Sequence, residues 1–266
     1  MLTPPRAWLI AFGGVVSVFL IAPSIVVIVM SFSSGKILMF PPPGFGVQWY
    51  ENFFTSQEWI GSAVNSLEIA LISSFLATFL GTITAFGLVR GRPLTAQVTT
   101  AVILSPLIVP LVVTAIGMYF TYQSIGLSTL AGIVIAHTTL GLPYVVVTVA
   151  ASLHGFDPDL ELAARNLGAN SWRSFSRITL PLIMPGIATG AIFAFVSSWD
   201  EVIVALFLTT PVLRTLPVTM WEQTKSTVDP TIAAASSLLT TFTLFLLLMV
   251  IMLRRFSIGT TKERPV

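Results

Sequence analysis

Six apolar runs, each long enough to cross about 30 Å of hydrocarbon as an α-helix, divide this 266-residue chain. They cover residues 7–32, 63–89, 95–122, 129–153, 181–208 and 231–253. Backbone in lipid must satisfy its own hydrogen bonds, and runs of this length do so as helices. Only 9% of the residues are charged and the mean hydropathy is +0.91. A soluble domain carries roughly 25% charge, so the apolar excess here must face lipid. The expected fold is therefore an all-α membrane protein with six transmembrane helices in one domain, residues 1–266. The first run follows Arg6 as in a signal peptide, but it is too long and has no small-x-small cleavage site, so it reads as a retained anchor. Residues 33–60 hold Pro41, Pro42, Pro43, Gly44 and several aromatics, the composition of an ordered loop outside the membrane. With no cysteine there is no disulfide or thiolate metal site, and a net charge of +2 gives no reason to expect nucleic acid as a partner.

Basic residues orient the spans. With the N-terminus in the cytoplasm, that side holds Arg6, Arg90, Arg92, Arg165, Arg173, Arg177, Arg254, Arg255, Lys262 and Arg264. The outer side keeps only Lys36, Arg214 and Lys225. Both termini are expected inside, and so is the polar insert between the fourth and fifth runs.

That insert, Asp157 to Pro181 within a loop over 154–180, gathers Asp157, Asp159, Glu161, Arg165, Arg173 and Arg177. Asp157 is placed as an N-cap with Pro158 in the first turn, and Asp159 and Glu161 lie where the helix dipole favours acids. Leu160, Ala163, Ala164 and Leu167 recur at helical spacing and give one apolar face with small residues at its middle. Gly168 stands where a left-handed C-cap ends a helix. A second short helix, about 171–178, carries Trp172, Phe175 and Arg177 and is expected to stop at Pro181. A small-residue ridge of this kind is a docking surface for a partner in the cytoplasm. The alternative is an amphipathic helix lying on the membrane surface.

The segment resembles the cytoplasmic loop of ABC importer permeases, an EAA-type motif followed by glycine, nine residues and I-x-L-P. Its positions here are Ala163, Ala164, Gly168, Ile178, Leu180 and Pro181, with Leu162 where the family has Glu and Glu161 one residue earlier. Asn65-Ser66, Ser105-Pro106, Leu142-Pro143 and Asp200-Glu201-Val202 resemble the spermidine/putrescine branch. The resemblance implies a type I ABC importer permease fold with a cytoplasmic coupling helix. It implies coupling to an ATPase dimer through Glu161, Leu162, Ala163, Ala164, Arg165, Gly168, Ala169, Ile178, Leu180 and Pro181. It further implies a second homologous permease, an external substrate-binding protein, and a prokaryotic inner (plasma) membrane location. The chain has no G-x-x-x-x-G-K-[ST] loop, so it is expected to be a transport subunit and no enzyme. ATP and Mg²⁺ would sit in the ATPase, with no cofactor bound by this chain.

Within the fifth run, Trp199-Asp200-Glu201 places two carboxylates at membrane depth, where charge is costly and rarely faces lipid. Carboxylates beside an indole suit a cationic amine through charge pairing and cation–π contact. Asp200 is the leading substrate candidate. Glu201 is either a second contact or a structural acid, and Trp199, Trp221 and Glu222 are further candidates. His137 reads as a helix-packing hydrogen bond, with substrate contact as the alternative; His154 reads as solvated or docking-related. Glu68 is a buried-acid candidate unless it lies at the outer interface, and Tyr119, Phe120 and Tyr122 suit an aromatic belt. Pro106, Pro110 and Pro143 interrupt helical hydrogen bonding inside the membrane. The expected function is ATP-driven uptake of a small amine such as putrescine or spermidine. Alternatives are another solute of the same importer class (an aminophosphonate or an iron chelate) or a secondary transporter.

Overall fold

The computed structural model describes residues 4–127, 129–226 and 229–259. The described residues are almost wholly helical: α1 (Pro4–Ser31), α2 (Gln48–Thr55), α3 (Gln57–Arg90), α4 (Pro93–Ile108), α5 (Leu111–Ser124), α6 (Thr129–His154), α7 (Asp159–Asn166), α8 (Ser171–Ser174), α9 (Leu180–Trp199), α10 (Ile203–Leu208), α11 (Leu216–Ser226) and α12 (Thr231–Gly259). Five helices are long and apolar enough to cross a membrane, and α4 with α5 makes a sixth if the bent pair counts as one span. The chain forms two compact units, residues 1–61 with 219–243, and residues 62–218 with 244–266.

In the first unit the expected extramembrane loop is ordered. Ser33 and Phe45 form an isolated antiparallel bridge, and α2 follows. The Tyr50 hydroxyl lies 2.6 Å from Ser31 Oγ and 2.7 Å from Ser237 Oγ, and Asn52 donates to Thr231 Oγ1 at 2.7 Å. Phe53 and Trp59 are buried with ring centroids 6.0 Å apart.

The second unit is organised around α6. Lipid tails are as apolar as leucine, so helices in a membrane associate through close packing rather than hydrophobic exclusion. Small residues supply that closeness. A Cβ on Gly190 of α9 would meet Val145 Cα at 2.9 Å, and one on Gly81 of α3 would meet Val145 Cβ at 2.8 Å. Val145, Val149 and Leu153 of α6 thus share one core cluster with Ala77 and Ala85 of α3 and with Ile183 and Ala194 of α9.

Two of the expected spans are broken, the first where Pro110 was expected to interrupt helical hydrogen bonding. The run over 95–122 bends by 105° between α4 and α5. Pro110 lacks an amide and drives Val109 into extended backbone, ψ 135°, which ends the helix there. Pro106 and Pro143, by contrast, remain inside helices. The run over 181–208 ends at Trp199, and α10 begins at Ile203. A third correction concerns Pro181, which does not stop the helix before it. Ser171–Trp199 is one 29-residue helix, with a π-turn at Phe175–Thr179 that accommodates the proline ring.

Candidate functional site

Both breaks border the same cavity. It has a volume of about 490 Å³ and is lined by Pro106, Leu107, Val109 and Leu111 from the first break and by Ser197, Asp200, Glu201, Val202 and Ile203 from the second. Leu140 and Tyr144 of α6 complete the wall. Interrupted helices are tolerated at membrane depth where protein or a cavity receives the freed backbone groups.

The two adjacent carboxylates occupy different environments. Asp200 is exposed and lines the cavity. Glu201 is 7% exposed, and its oxygens accept the backbone N–H groups of Val204 and Ala205, each at 2.8 Å. It is the side-chain cap of α10, whose first amides have no intrahelical acceptors. Its Oε2 also lies 3.5 Å from His137 Nε2, close in charge but long for a hydrogen bond. The other imidazole nitrogen, Nδ1, lies 2.7 Å from Ser198 Oγ, a hydroxyl able to donate to it or accept from it. His137 is 1% exposed, so the helix-packing reading of this residue fits its surroundings.

The other residues predicted for the path lie elsewhere. Trp199 is buried and stacks on Phe195 with centroids 6.0 Å apart; it is not among the cavity-lining residues. Trp221 and Glu222 belong to the first unit, where Lys225 Nζ sits 4.7 Å above the Trp221 ring. The aromatic ring that does line the cavity is Tyr144, which the sequence reading missed. It sits one residue after Pro143 in an apolar run and carries no charge, so nothing in the sequence distinguished it. Glu68 is exposed, and so is His154, whose Nδ1 lies 2.7 Å from Ala150 O. Phe120 is exposed and Tyr119 meets it edge-on at 5.5 Å.

The polar insert takes the geometry expected of α7. Asp157 Oδ1 accepts the Asp159 amide at 3.0 Å. Gly168 has φ +88°, its amide bonds Arg165 O, and the Ala169 amide bonds Ala164 O, the paired closure of a left-handed C-cap. Leu160, Leu162, Leu167 and Trp172 project into solvent, at 45%, 55%, 90% and 73% exposure. Ala163 and Arg165 are exposed and Ala164 and Ala169 half-buried, while Ile178, Leu180 and Pro181 lead into α9. Glu161 turns inward to Arg90 and Thr179.

Residues 77–258 match the family model described as binding-protein-dependent transport system inner membrane component. The chain belongs to that family. This permease is accordingly a multi-pass inner-membrane transport component and no enzyme. It is 30% identical over 240 residues to the spermidine/putrescine transport system permease protein PotC of Haemophilus influenzae, covering 90% of this chain and 93% of the relative. It is 32% identical over 235 residues to PotC of Escherichia coli K12, covering 86% and 87%. The putrescine transport system permease protein PotI of the same organism is 32% identical over 229 residues, covering 83% and 81%. Among solved structures, a bacterial ABC transporter importing alginate matches with TM-score 0.65 and 14% identity over 99% of both chains. A bacterial alginate ABC transporter in complex with its periplasmic protein matches with TM-score 0.68 and 17% identity over 97% and 96%. At those identities the likeness shows the ABC importer permease fold alone.

Proposed function

We propose that this permease forms half of the path for a small cationic amine, of the putrescine or spermidine class, and that Asp200 is its contact. The observation that carries the reading is an exposed acid on the wall of the cavity between the two broken helices. Tyr144 supplies the aromatic surface that an ammonium group favours, and the relatives named for these amines add support. An anionic aminophosphonate would meet like charge at Asp200. In this reading Glu201 shapes the wall rather than touching the amine, and Trp199, Trp221 and Glu222, which do not line the cavity, are not its contacts there.

The exposed apolar ridge of α7 and Trp172 is the grip for an ATPase dimer on the cytoplasmic side, with both termini on that side. Leu162, apolar where the family has an acid, calls for an apolar pocket there. ATP and Mg²⁺ are bound by the ATPase, a second permease completes the path, and an external binding protein delivers the amine. The test is uptake of labelled putrescine and spermidine by the assembled complex carrying Asp200→Asn. Removing the charge should raise KM about tenfold, the equivalent of roughly 1.4 kcal/mol. Unchanged KM and rate would remove Asp200 from the path.

A further inference from the structure

α7 presents most of its surface to solvent, yet one of its side chains faces the other way. Glu161 keeps only 12% of its side-chain exposure. Its carboxylate accepts a hydrogen bond from Arg90 Nη2 at 2.5 Å and another from the Thr179 hydroxyl. The two donors belong to different elements. Arg90 is the last residue of α3, and Thr179 is the last residue of the π-turn that leads into α9. A line of rings joins the same elements: Arg90 Cζ lies 5.2 Å over Phe86, Phe86 meets Phe175 edge-on at 5.4 Å, and Trp172 leans on Phe175 at 5.8 Å.

Covalently, α7 is attached only through short turns, Gly155–Pro158 before it and Gly168–Asn170 after it. A push on α7 carried by those turns alone would be absorbed by their backbone torsions. A carboxylate bonded to the ends of two membrane helices gives the push a stiffer route. Adjacent residues thus divide the work: Leu162 faces outward and Glu161 inward.

The geometry points to Glu161 as an internal tie, held by Arg90 and Thr179, that passes displacement of α7 to α3 and α9. It is a positioning residue for transport coupling and makes no contact with the ATPase. This rests on the reading that an ATPase grips α7, and the two can fail separately.

The experiment uses the whole reconstituted complex and measures ATP hydrolysed per amine taken up, together with the amount of ATPase that co-purifies. Glu161→Gln and Arg90→Gln should keep wild-type amounts of ATPase but raise the ATP-to-amine ratio about fivefold, the low end for coupled sites. The double reversal Glu161→Arg with Arg90→Glu should bring the ratio back to within about twofold of wild type, since paired sites are non-additive. Thr179→Val, which removes one donor and little volume, should raise the ratio less than Glu161→Gln. Should Glu161→Gln fail to assemble, Arg90→Lys reads the same ratio, because it keeps the charge and loses the guanidinium fork. Loss of ATPase at an unchanged ratio would make Glu161 a docking contact and overturn the tie, as would a wild-type ratio in every single variant. A wild-type chain that retains no ATPase would sink both readings.

Discussion

Two glutamates of this chain turn inward, one in the polar insert and one at a broken apolar span, and different chemistry holds them. Glu161 is paired with a guanidinium that is itself 47% exposed, so water screens the pair. Glu201 is buried, and its acceptors' partners are two backbone amides at the start of α10. The first can be exchanged for other charges at little cost to the fold, whereas the second substitutes for helix hydrogen bonds that nothing else supplies. Each also has a more exposed neighbour, Leu162 beside Glu161 and Asp200 beside Glu201, although both acids of the second pair line the cavity. An acid in a polar-poor chain is therefore no guide to function by itself, since Glu201 is buried as a helix cap while Asp200 beside it is exposed.

The comparison can be broken most decisively at Glu201. Glu201→Ala strands two buried amides and should cost about 3 kcal/mol or more, seen as a lower unfolding temperature or lost assembly in detergent. Asp200→Asn keeps the side chain's size and an acceptor oxygen, so it should change stability by about 0.5 kcal/mol or less, while amine uptake falls. If both variants unfold alike, the division of labour between the two acids is wrong.

Acid pH sharpens the contrast for Glu161. Burial alone would raise the Glu161 carboxyl, but hydrogen bonds from Thr179 and Arg90 and the charges of Arg90 and Arg165 outweigh it and hold it below the ordinary 4.5. A depressed carboxyl contributes stability that is complete above the ordinary value and is lost as pH falls through the lower folded one. The coupling ratio should therefore be flat from about pH 5 to 8; a change within that window would show that Glu161 does not set it. A smaller effect than at Glu201 is expected at Gly168. A Cβ there meets nothing within 4 Å, so Gly168→Ala pays only for left-handed backbone, about 1 kcal/mol. Circular dichroism of an 154–181 peptide would not read this, but thermal unfolding of the full chain would.

Much of the insert was legible in the sequence because its signals are local. Asp157, Pro158 and Gly168 punctuate α7 through bonds no more than five residues long, and the structure places them accordingly. Pro181 misled because a helix can absorb a proline by loosening one turn, and whether it does depends on what the flanking residues pack against. Trp199 misled for a related reason: adjacency to Asp200 in sequence says nothing of direction once the helix ends between them.

By itself the sequence determined that the chain lives in a membrane as helices, because apolar runs of that length leave no other way to satisfy the backbone. It also determined the family, through a local motif of fixed spacing. Tertiary structure alone decided that both carboxylates border a cavity and that one of them, Glu201, also caps a helix. That outcome depends on Pro106, Tyr144 and His137 arriving from other parts of the chain, and no local pattern records which distant residues meet.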